Sequence, residues 1–359
     1  MAVYRFVGER ISTVVGVVGV ALALVFTFVL AVVLVLAGPA AASASTDSAG
    51  ASAGSSAPAD LTLSTWSVPV EPGPVQHTNG AAARYYEQHP DAAPVGVNNF
   101  SCRPSSERPR PVVLLHGTDS SVYTDFARLG PALAASGFCV FGLDYGTGPH
   151  PDDGNGWGDG AVSAGQLAEF VDRVLADTGA AEVDVIGMSQ GANVARWWIN
   201  HLDGAEQTHK WIGLASPTRG GTFYGLATLA HSLGVPDSAL AQFLQPGLLQ
   251  QRSVDPWIAE LNADGETAPG VEYATVSTRF DEMIQPFDTM AIHGAGGVIH
   301  NHVLQDWCPS DRSGHMLLPY SPTVIDLVIA ELDGSTPDPR CTDVPLGHGM
   351  LEIVIDSNS

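Results

Sequence analysis

Val183-Asp184-Val185-Ile186-Gly187-Met188-Ser189-Gln190-Gly191-Ala192-Asn193-Val194-Ala195 decides the fold. Its first six residues form a short apolar run rich in β-branched side chains, the pattern of a buried strand. The chain then turns through Gly-x-Ser-x-Gly. Beyond the turn, Val194, Ala195, Trp198, Ile199 and Leu202 recur at helical spacing and mark one face of a helix. A turn this sharp between strand and helix calls for glycine on both flanks, because the backbone is strained and the two elements nearly touch. Ser189 is thereby lifted clear of the sheet. Gln190 opens the helix, so its backbone N–H faces whatever the Ser189 hydroxyl attacks.

Context, not the five-letter pattern, carries this reading. Gly50-Ala51-Ser52-Ala53-Gly54 matches the same pattern in a chain of 39 glycines. That second match lies in an Ala/Ser-rich stretch with no strand before it and no helix after it, and it reads as linker. Strand, Gly-x-Ser-x-Gly and helix in succession form the nucleophile elbow of an α/β-hydrolase.

Working outward, Pro111 to Thr118 reads as a buried strand ending at His-Gly, and Phe126, Leu129 and Leu133 follow at helical spacing. Phe138 to Leu143 is the next strand, 144–160 a Gly/Pro/Asp-rich loop, and Leu167 to Leu175 an amphipathic helix leading into the elbow. Strands follow at Trp211 to Ala215, Glu272 to Ser277 and Val298 to Leu304, and Val324 to Leu332 marks the closing helix. The alternation predicts a mostly parallel sheet with helices on both faces, with ligands bound at the carboxyl ends of its strands. Residues 66–110, rich in proline, read as coil with short helical turns. Residues 216–268 break the rhythm. Their many large apolar residues suit either a second small core or a small helical cap presenting an acyl channel.

The first 44 residues read as a leader. Arg5 and Arg10 precede an uncharged apolar run over 11–37, and Ala-x-Ala-like sites follow at 40–44, as in a secretory signal peptide. The run is long for a signal, so a retained anchor facing outward is the alternative. Residues 45–60, almost entirely Ala, Ser, Gly and Pro, form a flexible linker, and 61–359 form the hydrolase domain. The net charge is −23, with Lys210 as the one lysine. Such a surface excludes nucleic acid as a partner and suits a soluble exported protein. Four cysteines in an exported chain imply two disulfides. Cys102 and Cys139 flank the first hydrolase strand, and Cys308 and Cys341 flank the last helix, so these local pairs are expected among three connectivities. With no Cys-x-x-Cys and no His-x-x-x-His spacing, the sequence makes no case for a metal site or a cofactor.

A serine hydroxyl needs an imidazole to take its proton and a carboxylate to fix that imidazole's tautomer. The order expected along the chain is Ser, acid, His. Asp281 directly follows a strand and so sits at the carboxyl edge of the sheet. Asp288 and Asp306 are less well placed, and Glu282 remains a near neighbour. Of 12 histidines, His315 lies in the loop between the last strand and the last helix, where the base must hang over the elbow. His293, His300 and His302 read as packed or solvated, His348 lies in the tail, and His116 reads as structural. The oxyanion donors expected are the Gln190 N–H and the Thr118 N–H, with the Thr118 hydroxyl as a possible third.

These residues carry a resemblance. Leu114-Leu115-His116-Gly117-Thr118, Gly-Met-Ser189-Gln-Gly, Ser-Thr-Arg-Phe-Asp281-Glu-Met-Ile-Gln-Pro and the Cys308…His315 loop occur in an order that resembles secreted actinobacterial triacylglycerol lipases of the class 2 family, and the yeast lipase-B type. The resemblance spans roughly residues 95–345. It implies hydrolysis of carboxylic esters; a lipid ester substrate, contact with a lipid–water interface or membrane surface and a monomeric state are the accompanying expectations. It gives Ser189, Asp281, His315, Thr118 and Gln190 the roles argued above. The same residues would also serve an acyltransferase on envelope lipids, and the scaffold alone is compatible with a non-catalytic binding protein.

Overall fold

The computed structural model describes residues 65–148, 154–223, 232–234, 236, 240, 246–294 and 297–349. The expected leader (1–44) and linker (45–60) lie outside the described residues, and the 216–268 segment lies partly outside them.

The elbow strand is the middle of the molecule. Among the described residues, seven strands form one sheet: β1 (Thr65–Ser67), β4 (Val112–Leu115), β5 (Val140–Thr147), β6 (Val183–Met188), β7 (Thr208–Leu214), β8 (Glu272–Ser277) and β9 (Ile299–Val303). They lie in the order β1-β5-β4-β6-β7-β8-β9. All neighbours pair in parallel except β1, which runs antiparallel along β5 at one edge. A separate parallel pair joins β2 (Glu71–Gly73) and β3 (Ala92–Pro94). This is the α/β-hydrolase sheet that the elbow implies. The register sets the site. Leu115 lies opposite Gly187, Met188 opposite Leu214, Leu214 opposite Val276 and Val276 opposite His302. The residues that follow β4, β6 and β8 therefore leave from one edge of the sheet.

Side-chain alternation feeds both faces. Val113 and Leu115 of β4 join a core with Phe170, Val171 and Val174 of α4 (Gly160–Thr178) and Val194, Ala195 and Trp198 of α5 (Gln190–His201). Val112 and Leu114 point the other way. They join Phe126 of α2 (Val122–Phe126), Leu129 and Leu133 of α3 (Leu129–Ala135), and Val324 and Val328 of α9 (Pro322–Asp333). Each such fully buried side chain stabilises the fold by about 1.5–3 kcal/mol. Helix α4 begins where the Asp159 carboxylate accepts from Ala161 N–H and ends at Gly179, whose φ of 73° suits only a residue without Cβ penalty.

The stretch read as coil holds more structure than the sequence suggests. Helix α1 (Asn79–Gln88) starts at Thr78, whose hydroxyl accepts from Ala81 N–H at 3.3 Å. Its buried residues are Asn79, Gly80 and Ala82, with Tyr85 and Tyr86 only partly buried against the core, so no aliphatic stripe recurs to betray it. Two more helices, α6 (Pro246–Leu249) and α7 (Pro256–Leu261), lie in the segment that breaks the rhythm. Trp257, Ile258 and Leu261 belong to the same core as α4 and α5, and Trp257 stacks on Trp197 at 5.0 Å. Helix α5 also holds this segment by polar contacts. Asn193 Nδ2 donates to Pro217 O (2.8 Å) and Gln251 Oε1 (3.0 Å), and Arg196 Nη2 to Asn262 Oδ1 (2.6 Å) and Glu266 O (2.9 Å).

Disulfides join Cys102 to Cys139 and Cys308 to Cys341, the two local pairs. The second follows α8 (Leu304–Trp307), the short helix after β9. The single lysine, Lys210 of β7, is buried. Its ammonium pairs with Glu272 Oε2 at 3.2 Å and Glu331 Oε2 at 3.4 Å, and donates to the Glu331 carbonyl. No described helix is long and apolar enough to cross a membrane.

Candidate active site

Ser189 occupies a backbone conformation of φ 50° and ψ −122°, sparsely populated for a residue with a side chain and costing about 1–3 kcal/mol. The surroundings hold it there. Ser189 N–H donates to Leu214 O at 2.8 Å, and α5 starts at the next residue. The flanking glycines are demanded by close approach. A Cβ on Gly187 would lie 2.3 Å from Ala192 N, and one on Gly191 would lie 2.4 Å from Leu115 O and 2.5 Å from His116 O. Gln190 supplies the first amide of α5, which has no partner within the helix.

The loop after β4 abuts the elbow. A Cβ on Gly117 would lie 3.3 Å from the Ser189 Cβ. Three bonds fix this loop: Gly117 N–H to Asp125 Oδ2 (2.7 Å), Asp119 N–H to Asn155 O (3.0 Å) and Trp157 Nε1–H to Asp119 Oδ1 (3.0 Å). The two residues expected to hold an oxyanion meet each other. The Thr118 hydroxyl donates to Gln190 Oε1 at 2.9 Å, while buried Gln190 Nε2 has no partner among the described residues. A half-turn of that amide puts Nε2 on the Thr118 oxygen and frees the hydroxyl proton for another acceptor.

Asp281 and His315 come together. His315 Nδ1 lies 2.8 Å from Asp281 Oδ2, with both side chains almost fully buried. The other carboxylate oxygen accepts from Met283 N–H (2.8 Å) and Ile284 N–H (2.7 Å), so the carboxylate is held against rotation. A carboxylate facing Nδ1 puts the proton there and leaves Nε2 as the basic nitrogen. Burial disfavours protonated His315, but the charge and hydrogen bond of Asp281, with the charges of Glu282 and Asp125, outweigh it and raise the imidazole above its ordinary value. Glu282 has a different task from its neighbour: its Oε2 accepts from the backbone N–H of His315 at 2.9 Å. Burial pushes its own carboxyl up. The loop bearing His315 is braced from below by Asp311, whose carboxylate accepts from Ser313 and Ser321, and by Thr278, whose hydroxyl donates to Ser313 O at 2.7 Å.

The remaining candidates lie elsewhere. Asp288 is exposed, Asp306 pairs with Arg279 at the surface, and His348 is exposed in the tail. His293 meets Arg219 and Glu266, and His300 and His302 meet Glu331. His116 is fully buried and stacked on Tyr145 at 4.3 Å. Its Nδ1–H donates to Gly117 O and its Nε2 accepts from Tyr145 N–H. Burial drives it down to about 4, so it stays neutral and structural.

Sequence reading missed Asp125. Fully buried, it anchors Gly117 by one oxygen while the other accepts from Ser120 Oγ (2.8 Å) and Asn79 Nδ2 (3.2 Å), and its charge acts on His315. Burial raises its carboxyl. Nothing in Val-Tyr-Thr-Asp-Phe distinguishes it from a helix aspartate facing water.

Solved structures similar to this chain include Aspergillus fumigatus lipase B (20% identity, TM-score 0.49, covering 64% of this chain and 53% of that one). Others are a Bacillus licheniformis lipase in mature form (14%, 0.44, 64% and 94%) and Saccharomyces cerevisiae monoglyceride lipase with a substrate analog (15%, 0.46, 65% and 87%). The chain thus spans about half the length of the Aspergillus protein. The sequence profile of the class 2 lipases matches residues 109–325, well over half of the chain, and on that match the chain belongs to the class 2 lipase family.

Proposed function

We propose that the chain is an exported hydrolase of carboxylic esters of lipids, working through an acyl-enzyme on Ser189. The carrying observation is the buried His315–Asp281 pair, which leaves Nε2 as the base. In this reading His315 Nε2 takes the Ser189 proton as Oγ attacks the ester carbonyl, then returns it to the leaving alcohol. Asp281 holds the imidazole and stabilises its charged form. The Gln190 and Thr118 N–H groups, with the Thr118 hydroxyl once it leaves Gln190 Oε1, receive the developing oxyanion. Water then repeats the sequence on the acyl-enzyme. An acyl-binding cap is assigned to the apolar segment 216–268, in which Leu240 and Leu249 are buried. Two disulfides and the apolar leader support export.

The test is release of p-nitrophenol from short and long acyl esters by wild type and Ser189→Ala. Wild type is expected to turn over, and a folded Ser189→Ala protein to lose activity by about 10⁶-fold, the scale seen when a triad serine is removed. A fluorophosphonate probe should add to Ser189 in wild type. Comparable hydrolysis in the alanine variant overturns the reading.

A further inference from the structure

The edge strand β9 carries His-Asn-His. A period of two places His300 and His302 on one face and Asn301 on the other. Asn301 Oδ1 accordingly accepts from Thr275 Oγ1 (2.7 Å) and Ile292 N–H (2.9 Å) on its own side. The histidine face meets the last turn of α9, where Glu331 is buried. Glu331 Oε1 lies 2.9 Å from His300 Nδ1 and 2.8 Å from His302 Nε2, and Oε2 lies 3.1 Å from His300 Nδ1. One nitrogen from each imidazole and one carboxylate oxygen converge, all within 4.8 Å of one another. Without an ion, both imidazoles must present N–H to the same carboxylate, one through Nδ1 and the other through Nε2.

The surrounding charges favour a cation. Lys210 is the neighbouring positive group; its ammonium lies 3.4 Å from Glu331 Oε2, and Glu272 Oε2 lies closer to it at 3.2 Å. Glu331, Glu272 and Lys210 together leave one negative charge for an incoming dication. Trp307 packs near His302, with ring centroids 5.7 Å apart. His300 is half-exposed, so water reaches the remaining coordination position. Two imidazoles and one carboxylate suit a borderline ion of the zinc class; calcium and magnesium prefer six or more oxygens.

We propose that His300, His302 and Glu331 form a structural site for a zinc-class transition-metal dication, pinning edge strand β9 to helix α9. None of the three residues belongs to the proposed Ser189–His315–Asp281 triad. Its spacing hid it from the sequence: His-x-His is a strand spacing, and the third ligand comes 29 residues after His302.

The test uses the full chain without a histidine tag, stripped with a chelator and dialysed. Calorimetric titration with Zn²⁺ is expected to show one equivalent bound at micromolar affinity or tighter, with a raised Tm. Co²⁺ should give the visible absorption of a low-symmetry site, and Ca²⁺ no response. His302→Ala and His300→Ala are expected to weaken Zn²⁺ binding at least tenfold. His300→Ala removes a half-exposed ring and keeps the fold. His293→Ala, at an unrelated exposed histidine, should bind as wild type. No saturable binding of Zn²⁺ or Co²⁺ by wild type overturns the proposal, as does binding that survives intact in both His300→Ala and His302→Ala.

Discussion

Asp281 and Glu282 are adjacent carboxylates with separate work: one meets the His315 imidazole, the other its backbone N–H. Their contrast is measurable by pH. In the proposed mechanism the raised imidazole must lose its proton before it serves as base, so kcat/KM is expected to fall in acid with a midpoint above the ordinary histidine value. Glu282→Gln keeps an acceptor for the His315 N–H but removes one charge that favours the imidazolium. Its acid limb should therefore move to lower pH, with kcat at pH 8 within about tenfold of wild type, a margin well under the 10²–10⁴ of direct acid–base catalysis. An unmoved limb would mean that Glu282 acts through geometry alone. Thr118→Val tests the oxyanion role proposed for this loop. If the hydroxyl turns from Gln190 Oε1 to the oxyanion, its loss is expected to cut kcat by about 10² to 10³ with little change in KM. If the hydroxyl serves only Gln190, turnover should persist while the thermal midpoint drops.

At the scale of elements, legibility followed locality. The elbow could be read because Gly187, Ser189 and Gly191 sit within five residues, and because the clashes that demand glycine arise between β6, α5 and the end of β4. The meeting of Asp281 with His315 could be read because the order of strands puts both at one sheet edge. Asp125 and Asn155 could not, since their importance is created by loops that meet only in the fold. Helix α1 was hidden because it buries small residues. The Cys308–Cys341 bond tests the coupling between elements. It anchors the stretch leading from α8 to His315, so selective reduction is expected to lower activity before it lowers the sheet's far-ultraviolet dichroism. Simultaneous loss of both signals would make the bond a support of the whole fold.

Across the molecule, the described part of 216–268 divides its apolar residues. Trp257, Ile258 and Leu261 fill the main core, so any acyl-binding surface must come from the rest of the segment. If it does, each additional buried CH₂ contributes about 0.8 kcal/mol at most, and kcat/KM should rise from acetate toward longer p-nitrophenyl esters. A profile that falls steadily from acetate would leave an esterase of short chains. The burial of Lys210 has a consequence for handling the protein. With one lysine in the sequence, and that one paired between Glu272 and Glu331, amine-directed reagents meet no accessible lysine on the native surface. Coupling to an activated support then proceeds through the terminal α-amine, giving an oriented preparation. Acylation of Lys210 itself becomes a clock, ticking only when the corner between β7 and α9 opens.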